Sequence, residues 1–255
     1  MNESVKVRLF KLLQASKDHY ISGADLARNL MVSRNAIWKA VESLRTEGYD
    51  ISAITNKGYR MNCGSDVFSQ TGIAGYIKTS DVFRVELRKS VTSTNTILRE
   101  MATKGAPECL VLVAEEQTAG KGRQGRSFHS PADYGVYFSI LLRPDSIASE
   151  AAALITSAAA VATAQAIEEV VGVKVGIKWV NDLFMDGKKV CGILTEAVTD
   201  LKSGSIGWVV IGIGVNVTTA GFPAELSEIA GSIGVLGIRN QLAAAIIDEL
   251  YRRFL

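Results

Sequence analysis

The sequence predicts an α+β protein in two parts, a small helical module closed by a hairpin and a larger domain built on a mixed sheet. Three observations predict it. Apolar residues recur at helical spacing over the first fifty positions and then mostly at strand spacing, in short runs separated by glycines. The formal charge of +2 hides an asymmetry: residues 1–62 carry ten Lys/Arg against six Asp/Glu, and residues 63–255 carry eighteen against twenty. A basic segment on a near-neutral body implies two tasks, one of them on a polyanion. Apolar residues make up 47% of the 255 and only four are proline, so a folded core is expected. The expected boundaries are 1–64 and 65–255.

In the first part, Val5, Leu9, Leu12 and Leu13 mark a helix over 4–16. Ser22 caps a second helix to Leu30, and Ser33 caps a third with Ile37, Val41 and Leu44 facing inward. After Gly48, Ile51 and Ile54 lead through Asn56-Lys57-Gly58 to Tyr59, Arg60 and Met61, a hairpin with a basic tip. Helix, tight turn, helix and hairpin resemble a winged helix-turn-helix. Ser33, Arg34, Asn35 and Lys39 then stand on the recognition helix and Lys57 on the wing, as candidates for DNA contact. A solvated basic face is the alternative. A single module binds weakly, so a dimer on a two-fold symmetric site is expected. The segment from Asn62 to Gln70, loosest at Cys63-Gly64-Ser65, joins the two parts.

Cys63, Cys109 and Cys191 are odd in number, widely spaced and accompanied by only two histidines. This argues against a zinc site and a disulfide framework and for a reducing, cytoplasmic setting. No signal peptide is expected. The uncharged run Ala151 to Ile167 is shorter than a membrane span needs, so no membrane association is expected.

The second part is organised around Gln117-Thr118-Ala119-Gly120-Lys121-Gly122-Arg123-Gln124-Gly125-Arg126, which follows a strand at Cys109–Ala114. Three glycines among three cations cannot form a core. The backbone can instead approach a ligand while Lys121, Arg123 and Arg126 face anionic oxygens; a mobile basic loop is the alternative. Upstream, a strand at Val82–Leu87 leads to Ser93, Thr94 and Asn95. These residues either cap a helix to about Lys104 or bind the polar edge of a small molecule. Tyr134–Leu142 is another strand, with Gly135 suited to close approach and Tyr134 and Tyr137 read as ordinary aromatics. Residues 150–171 form an alanine-rich helix.

A brief strand, Lys174–Ile177, delivers Lys178-Trp179-Val180-Asn181-Asp182-Leu183. Lys178 is suited to neutralising charge on a phosphoryl or acyl group. Asp182 is suited to a divalent ion or to fixing a lysine; equally, the two form a surface pair. A hairpin turning at Asp186-Gly187 carries Lys188 and Lys189 to opposite faces, so only one of them enters a site. Gly207–Val217 is an apolar strand with Gly212, Gly214 and Asn216 placed for a ligand to lie close, and Arg239 to Leu255 is a final helix. No nucleophile triad is discernible.

Taken in order, Ser93-Thr94-Asn95, Gln117 through Arg126, Lys178 through Leu183 with Lys189 through Gly192, and Gly212 through Asn216 resemble the bifunctional biotin protein ligase and biotin operon repressor family. The resemblance spans nearly the whole chain and implies a biotin/lipoate ligase-like catalytic domain. It implies ATP and Mg²⁺ as co-substrate and activator, biotin as substrate, biotinyl-5′-adenylate as intermediate, and a biotin carboxyl carrier protein as acceptor. It also implies operator DNA as partner and a ligand-promoted homodimer. Lys178, Arg123 and Lys189 take catalytic positions. Ser93, Thr94, Asn95, Gln117, Gly120, Lys121, Gly122, Gly192, Gly212, Gly214 and Asn216 take biotin or adenylate positions. Asn181, Asp182 and Arg126 lie on the nucleotide and Mg²⁺ side, with Asp182 the sole candidate metal ligand and no tightly bound cofactor expected. Val180 stands where the family usually has proline and Phe128 where it often has tryptophan; both keep an apolar residue, so activity is expected to survive. The small β-barrel-like domain that normally follows the last helix is expected to be missing, which bears on carrier and ATP contacts. Two other functions compete: a biotin- or adenylate-sensing repressor with weak turnover, and a lipoate-type acyl-adenylate ligase.

Overall fold

Three serines start the first three helices. In the computed structural model, which describes residues 3–16, 19–62, 67–79, 82–143, 152–199 and 206–254, Ser4, Ser22 and Ser33 accept from the amides of Val7, Asp25 and Ala36. Each hydroxyl satisfies a donor that the helix itself leaves open. The helices are α1 (Val5–Ala15), α2 (Gly23–Leu30) and α3 (Arg34–Thr46). Met31 takes a left-handed conformation at φ 53° after α2, which makes the turn between α2 and α3 tight. Leu9, Leu13, Leu26, Ile37, Val41 and Leu44 meet in one core. The predicted hairpin forms from β1 (Ile51–Ile54) and β2 (Gly58–Met61). Gly58 must be glycine: at φ +105° a Cβ would fall 2.0 Å from the Ile21 carbonyl oxygen.

The expected boundary at 64/65 and the loose stretch Cys63-Gly64-Ser65 lie outside the described residues. Beyond them, α4 (Gln70–Tyr76) was not anticipated. Seven residues with two glycines carry too little periodicity to announce a helix. Its glycines serve packing, since a Cβ at Gly72 would lie 2.5 Å from the Tyr49 hydroxyl and one at Gly75 would lie 2.4 Å from the Phe10 ring. The helix therefore sits directly against the N-terminal module. On its other side, Asn240 accepts from the Ser69 amide at 3.1 Å and donates to the Val67 carbonyl at 2.7 Å.

The second part contains β3 (Arg84–Val91), α5 (Thr94–Thr103), β4 (Leu110–Gln117), β5 (Gly135–Leu142), α6 (Ala152–Val171), β6 (Gly176–Lys178), β7 (Asp182–Met185), β8 (Lys188–Thr199), β9 (Ile206–Asn216) and α7 (Arg239–Phe254). The predicted residues 150 and 151 of the long helix lie outside the described residues. The strands form one sheet in the order β3-β4-β5-β9-β8-β7-β6. Only β3 and β4 pair in parallel, and α5 supplies their crossover; the other pairings are antiparallel, so the sheet is mixed as predicted.

Alternation along the strands separates two faces. Val111, Val113, Phe138, Ile140, Ile193, Val209, Ile211 and Ile213 face the core with α6 and α7, whereas Leu110, Leu112, Leu141, Trp208 and Val210 face Leu98 and Ala102 of α5. Helix α6 is long and apolar enough to cross a bilayer, but Ile155, Ala159, Ala160, Ala162, Ala166 and Ile167 are built into this core. On the α5 face, Gly192, Gly212 and Gly214 continue the sheet with no side chains and leave a shelf.

Candidate active site

Strand register creates the shelf. Tyr137 pairs with Gly214 and Gly214 with Gly192; one step along, Ser139 pairs with Gly212 and Gly212 with Leu194. Two rows therefore cross β5, β9 and β8, each with glycine at its centre. The Phe128 ring lies over the first row, where a Cβ on Gly214 would come within 2.5 Å of it and one on Gly192 within 3.1 Å. It meets the Tyr137 ring edge-on at 6.4 Å. Asn95 lies over the second row, and a Cβ on Gly212 would sit 1.9 Å from its Oδ1.

Asn95 belongs to a buried polar chain at the start of α5. Its Nδ2 donates to the Leu194 carbonyl at 3.1 Å and to Glu196 at 2.9 Å, and its Oδ1 accepts from the Ser139 hydroxyl at 2.6 Å. Gln117 Oε1 accepts from the Thr94 amide at 2.8 Å and its Nε2 donates to Ser130 at 3.0 Å. Ser93 caps α5 through the Thr96 amide at 3.5 Å. Ser93 both caps α5 and lines the first cavity, because the N-terminus of α5 opens onto the shelf.

Two cavities meet there. The first, about 40 Å³, is lined by Ser93, Thr94, Asn95, Gln117, Lys121, Gly192, Gly212 and Gly214, among others. The second is a cleft of about 470 Å³ that includes Arg126, Lys178, Asp182, Asn216, Phe184 and Phe222. Gly122, Arg123, Phe128, Asn181 and Lys189 line both. Lys189 is held by Asp182 at 2.8 Å, with the two side chains 33% and 24% exposed. Lys188 points the other way, to the Ser227 carbonyl at 2.9 Å, so Lys189 is the lysine that enters the site. Asp182 therefore fixes Lys189; the surface pair with Lys178 is not formed. Lys178 stands in the cleft with Nζ 5.3 Å from the Phe184 ring centroid. Arg123 donates to Asn181 Oδ1 at 3.3 Å.

Several positions differ from expectation. Gly120 lines neither cavity: a Cβ there would lie 2.4 Å from the Phe128 carbonyl, so it brings the two ends of the loop together. Gly135 makes room for the phenol of Tyr137, 2.2 Å from where its Cβ would be. Asn216 faces the cleft, where its Nδ2 donates to Gly231 at 3.0 Å and its buried Oδ1 has no partner among the described residues. Ser130, Ser139 and Glu196 were missed because isolated polar residues in apolar or loop sequence give no signal until pairing assembles them. Phe222 and Ile229 come from the segment after β9, which pattern reading left unassigned. Burial pushes the Cys191 thiol up although Lys189 is nearby, which keeps it unreactive. Among the described residues no group of three His, Cys, Asp or Glu is placed to hold a metal.

On the N-terminal module, Arg34, Asn35, Lys39 and Lys57 are exposed. The Ser33 hydroxyl accepts from the Ala36 amide at 3.1 Å as the cap of α3.

A basic helix-turn-helix joined to an α/β domain with a two-chambered, cation-lined site defines a class, a DNA-binding module joined to a ligase fold. The family model described as "Biotin/lipoate A/B protein ligase family" matches residues 87–216, and one described as "HTH domain" matches residues 7–60. The chain is 39% identical over 252 residues to the bifunctional ligase/repressor BirA of Bacillus subtilis (strain 168), covering 98% of this chain and 75% of that protein. It is 30% identical to the protein of the same name from Escherichia coli (strain K12), covering 98% and 76%. Among solved structures, the biotin protein ligase of Aquifex aeolicus in complex with biotin and ATP superposes with a TM-score of 0.59 at 28% identity, over 67% of this chain and 70% of that one. The chain belongs to the biotin/lipoate A/B protein ligase family, in the group of bifunctional ligase/repressors, and spans about three quarters of the length of those relatives.

Proposed function

We infer that this chain is an ATP-dependent biotin protein ligase acting through biotinyl-5′-adenylate, and a repressor of biotin-synthesis genes. The observation that carries the reading is the wall shared by the two cavities, where Arg123 and Lys189 stand between a polar pocket and a nucleotide-sized cleft.

Adenylation joins two anions. A biotin carboxylate oxygen bonds to the α-phosphorus of ATP, the bond from that phosphorus to the bridging oxygen breaks, and pyrophosphate leaves. Arg123 and Lys189 lie where that charge gathers, and Lys178 faces it from the cleft. Fixed cations need no reorganisation as charge develops. An acceptor lysine then attacks the carbonyl and AMP departs with the bonding electrons. We assign Ser93, Thr94, Asn95 and Gln117 to the polar edge of biotin, the shelf glycines to its ring face, and Lys121 and Gly122 to the covering loop. Asn216 Oδ1, buried and without a partner among the described residues, fits the amino group of adenine; Asn181 and Arg126 lie beside the phosphates. A cavity of about 40 Å³ is small for a bicyclic ligand, so Phe128 must yield as biotin enters. Mg²⁺, when bound with the nucleotide, would supply charge neutralisation on its phosphates. Among the described residues, Asp182 and Glu228 are the carboxylates that line the cleft and would hold the ion, a sparse set that suits an ion which keeps most of its water.

The carrier protein, operator DNA, ligand-promoted dimerisation, cytoplasmic location and the division at residue 64 are part of the same proposal. The test is pyrophosphate release from ATP, Mg²⁺ and biotin, run beside transfer of labelled biotin to a carrier domain. Both signals are expected. Pyrophosphate with lipoate but not biotin would redirect the reading to lipoate, and neither signal would leave a ligand-sensing repressor.

A further inference from the structure

Helix α3 buries Ile37, Ala40, Val41 and Leu44 and turns Arg34, Asn35, Trp38 and Lys39 outward. Trp38 remains 52% exposed and takes no part in the module's core. Helical geometry places it one turn beyond Arg34 and Asn35 on the same face. Glu42, one turn further on, is engaged by Arg45 at 2.8 Å. The outward face therefore presents two cations and an amide around an indole in its first half. Single exposed apolar residues are ordinary; here the indole lies among the groups best suited to a polyanion. A second protein would meet unpaired cations at that spot, whereas a duplex supplies phosphates for Arg34 and Lys39 and base edges for what lies between them.

Resting on the reading of this module as DNA-binding, we propose that Trp38 is a base-reading residue, its indole packing against the C5-methyl of a thymine in the major groove. Recognition helices read bases with their N-terminal residues, and the thymine methyl is the apolar feature of that groove. Such a contact adds specificity without neutralising phosphate, so it leaves the salt dependence of binding unchanged.

The experiment selects duplexes from a random pool with the wild-type protein, biotin and ATP, then compares wild type, Trp38→Ala and Trp38→Phe on a selected and a scrambled duplex across salt concentrations. Trp38→Ala is expected to lose about tenfold on the selected duplex, with scrambled-duplex affinity, salt slope and thermal midpoint unchanged, and Trp38→Phe to recover most of the loss. Replacing the contacted thymine by deoxyuridine should weaken wild type and leave Trp38→Ala indifferent, the non-additivity expected of direct contact. Equal loss on both duplexes, or selected-duplex affinity within about twofold of wild type, would overturn the proposal. Loss that tracks impaired self-association in sedimentation would instead place the indole between two copies. If wild type enriches no duplex, the DNA-binding reading fails, and this proposal with it.

Discussion

At Gly212 the absence of one carbon atom shapes the pocket. Its Cβ would lie 1.9 Å from Asn95 Oδ1, so Gly212→Ala must displace the amide or bend β9. We expect the KM for biotin to rise about tenfold, with a stability loss of about 1–3 kcal/mol, read from pyrophosphate kinetics and thermal unfolding. An unchanged KM would remove Asn95 from the biotin site. Lys189→Ala takes away a shared-wall cation and removes the ion-pair partner of Asp182, which keeps the hydrogen bond from Asn181 Nδ2 at 2.9 Å. Pyrophosphate formation should slow by on the order of 10²-fold while the fold persists. Lys178→Ala should act in the same direction. An unchanged rate in either variant would show that its charge is not used in adenylation. Ser93 to Asn95, Arg123, Asp182 and Lys189 were legible in the sequence because polar or charged residues at strand ends and beside glycines have no core to join. Ser139 was hidden because alternation alone cannot say which face carries a ligand.

The loop after β4 is the element on which retention of the intermediate depends. Its inner end is held by the bond from the Phe128 amide to the Gly120 carbonyl at 2.9 Å, and its tip is held to the strand side by Arg123 and Asn181. Arg123→Gly removes that tip contact and adds backbone freedom at the same position. Biotinyl adenylate should then escape and label lysines of a bystander protein such as serum albumin when no carrier is present. Undiminished retention would show that the loop is not what holds the adenylate. The hairpin of β7 and β8 shows how much of an element local sequence carries. Asp186 at φ 50° and Gly187 at φ 76° turn as predicted and send Lys188 and Lys189 to opposite faces. Helix α4 shows the reverse, since it exists through contacts with Phe10, Tyr49 and Asn240 that its own seven residues do not encode.

Over the whole molecule, Tyr49 is a sensitive point of the join. Its hydroxyl pairs with Ser69 at 2.8 Å, and burial pushes its pKa from 10.0 up to about 12. The folded protein then holds this proton more tightly than the unfolded chain. The stabilisation is complete below pH 10 and is lost as pH rises toward 12. Between those limits the stability of wild type relative to Tyr49→Phe should fall by about 2 kcal/mol, measured by urea unfolding. A difference that does not change with pH would show that the phenol titrates as it does in the unfolded chain.

Helix caps, the two hairpins, the charge asymmetry and the order of the four site segments were determined by the sequence alone, because each depends on neighbours within a few positions. Strand order, the two glycine rows, the choice of Lys189 over Lys188, the burial of the Asn216 side chain against the cleft and the existence of α4 were decided only by the tertiary structure. These depend on which distant strands and helices come to lie side by side, and that is settled by burial of the whole core.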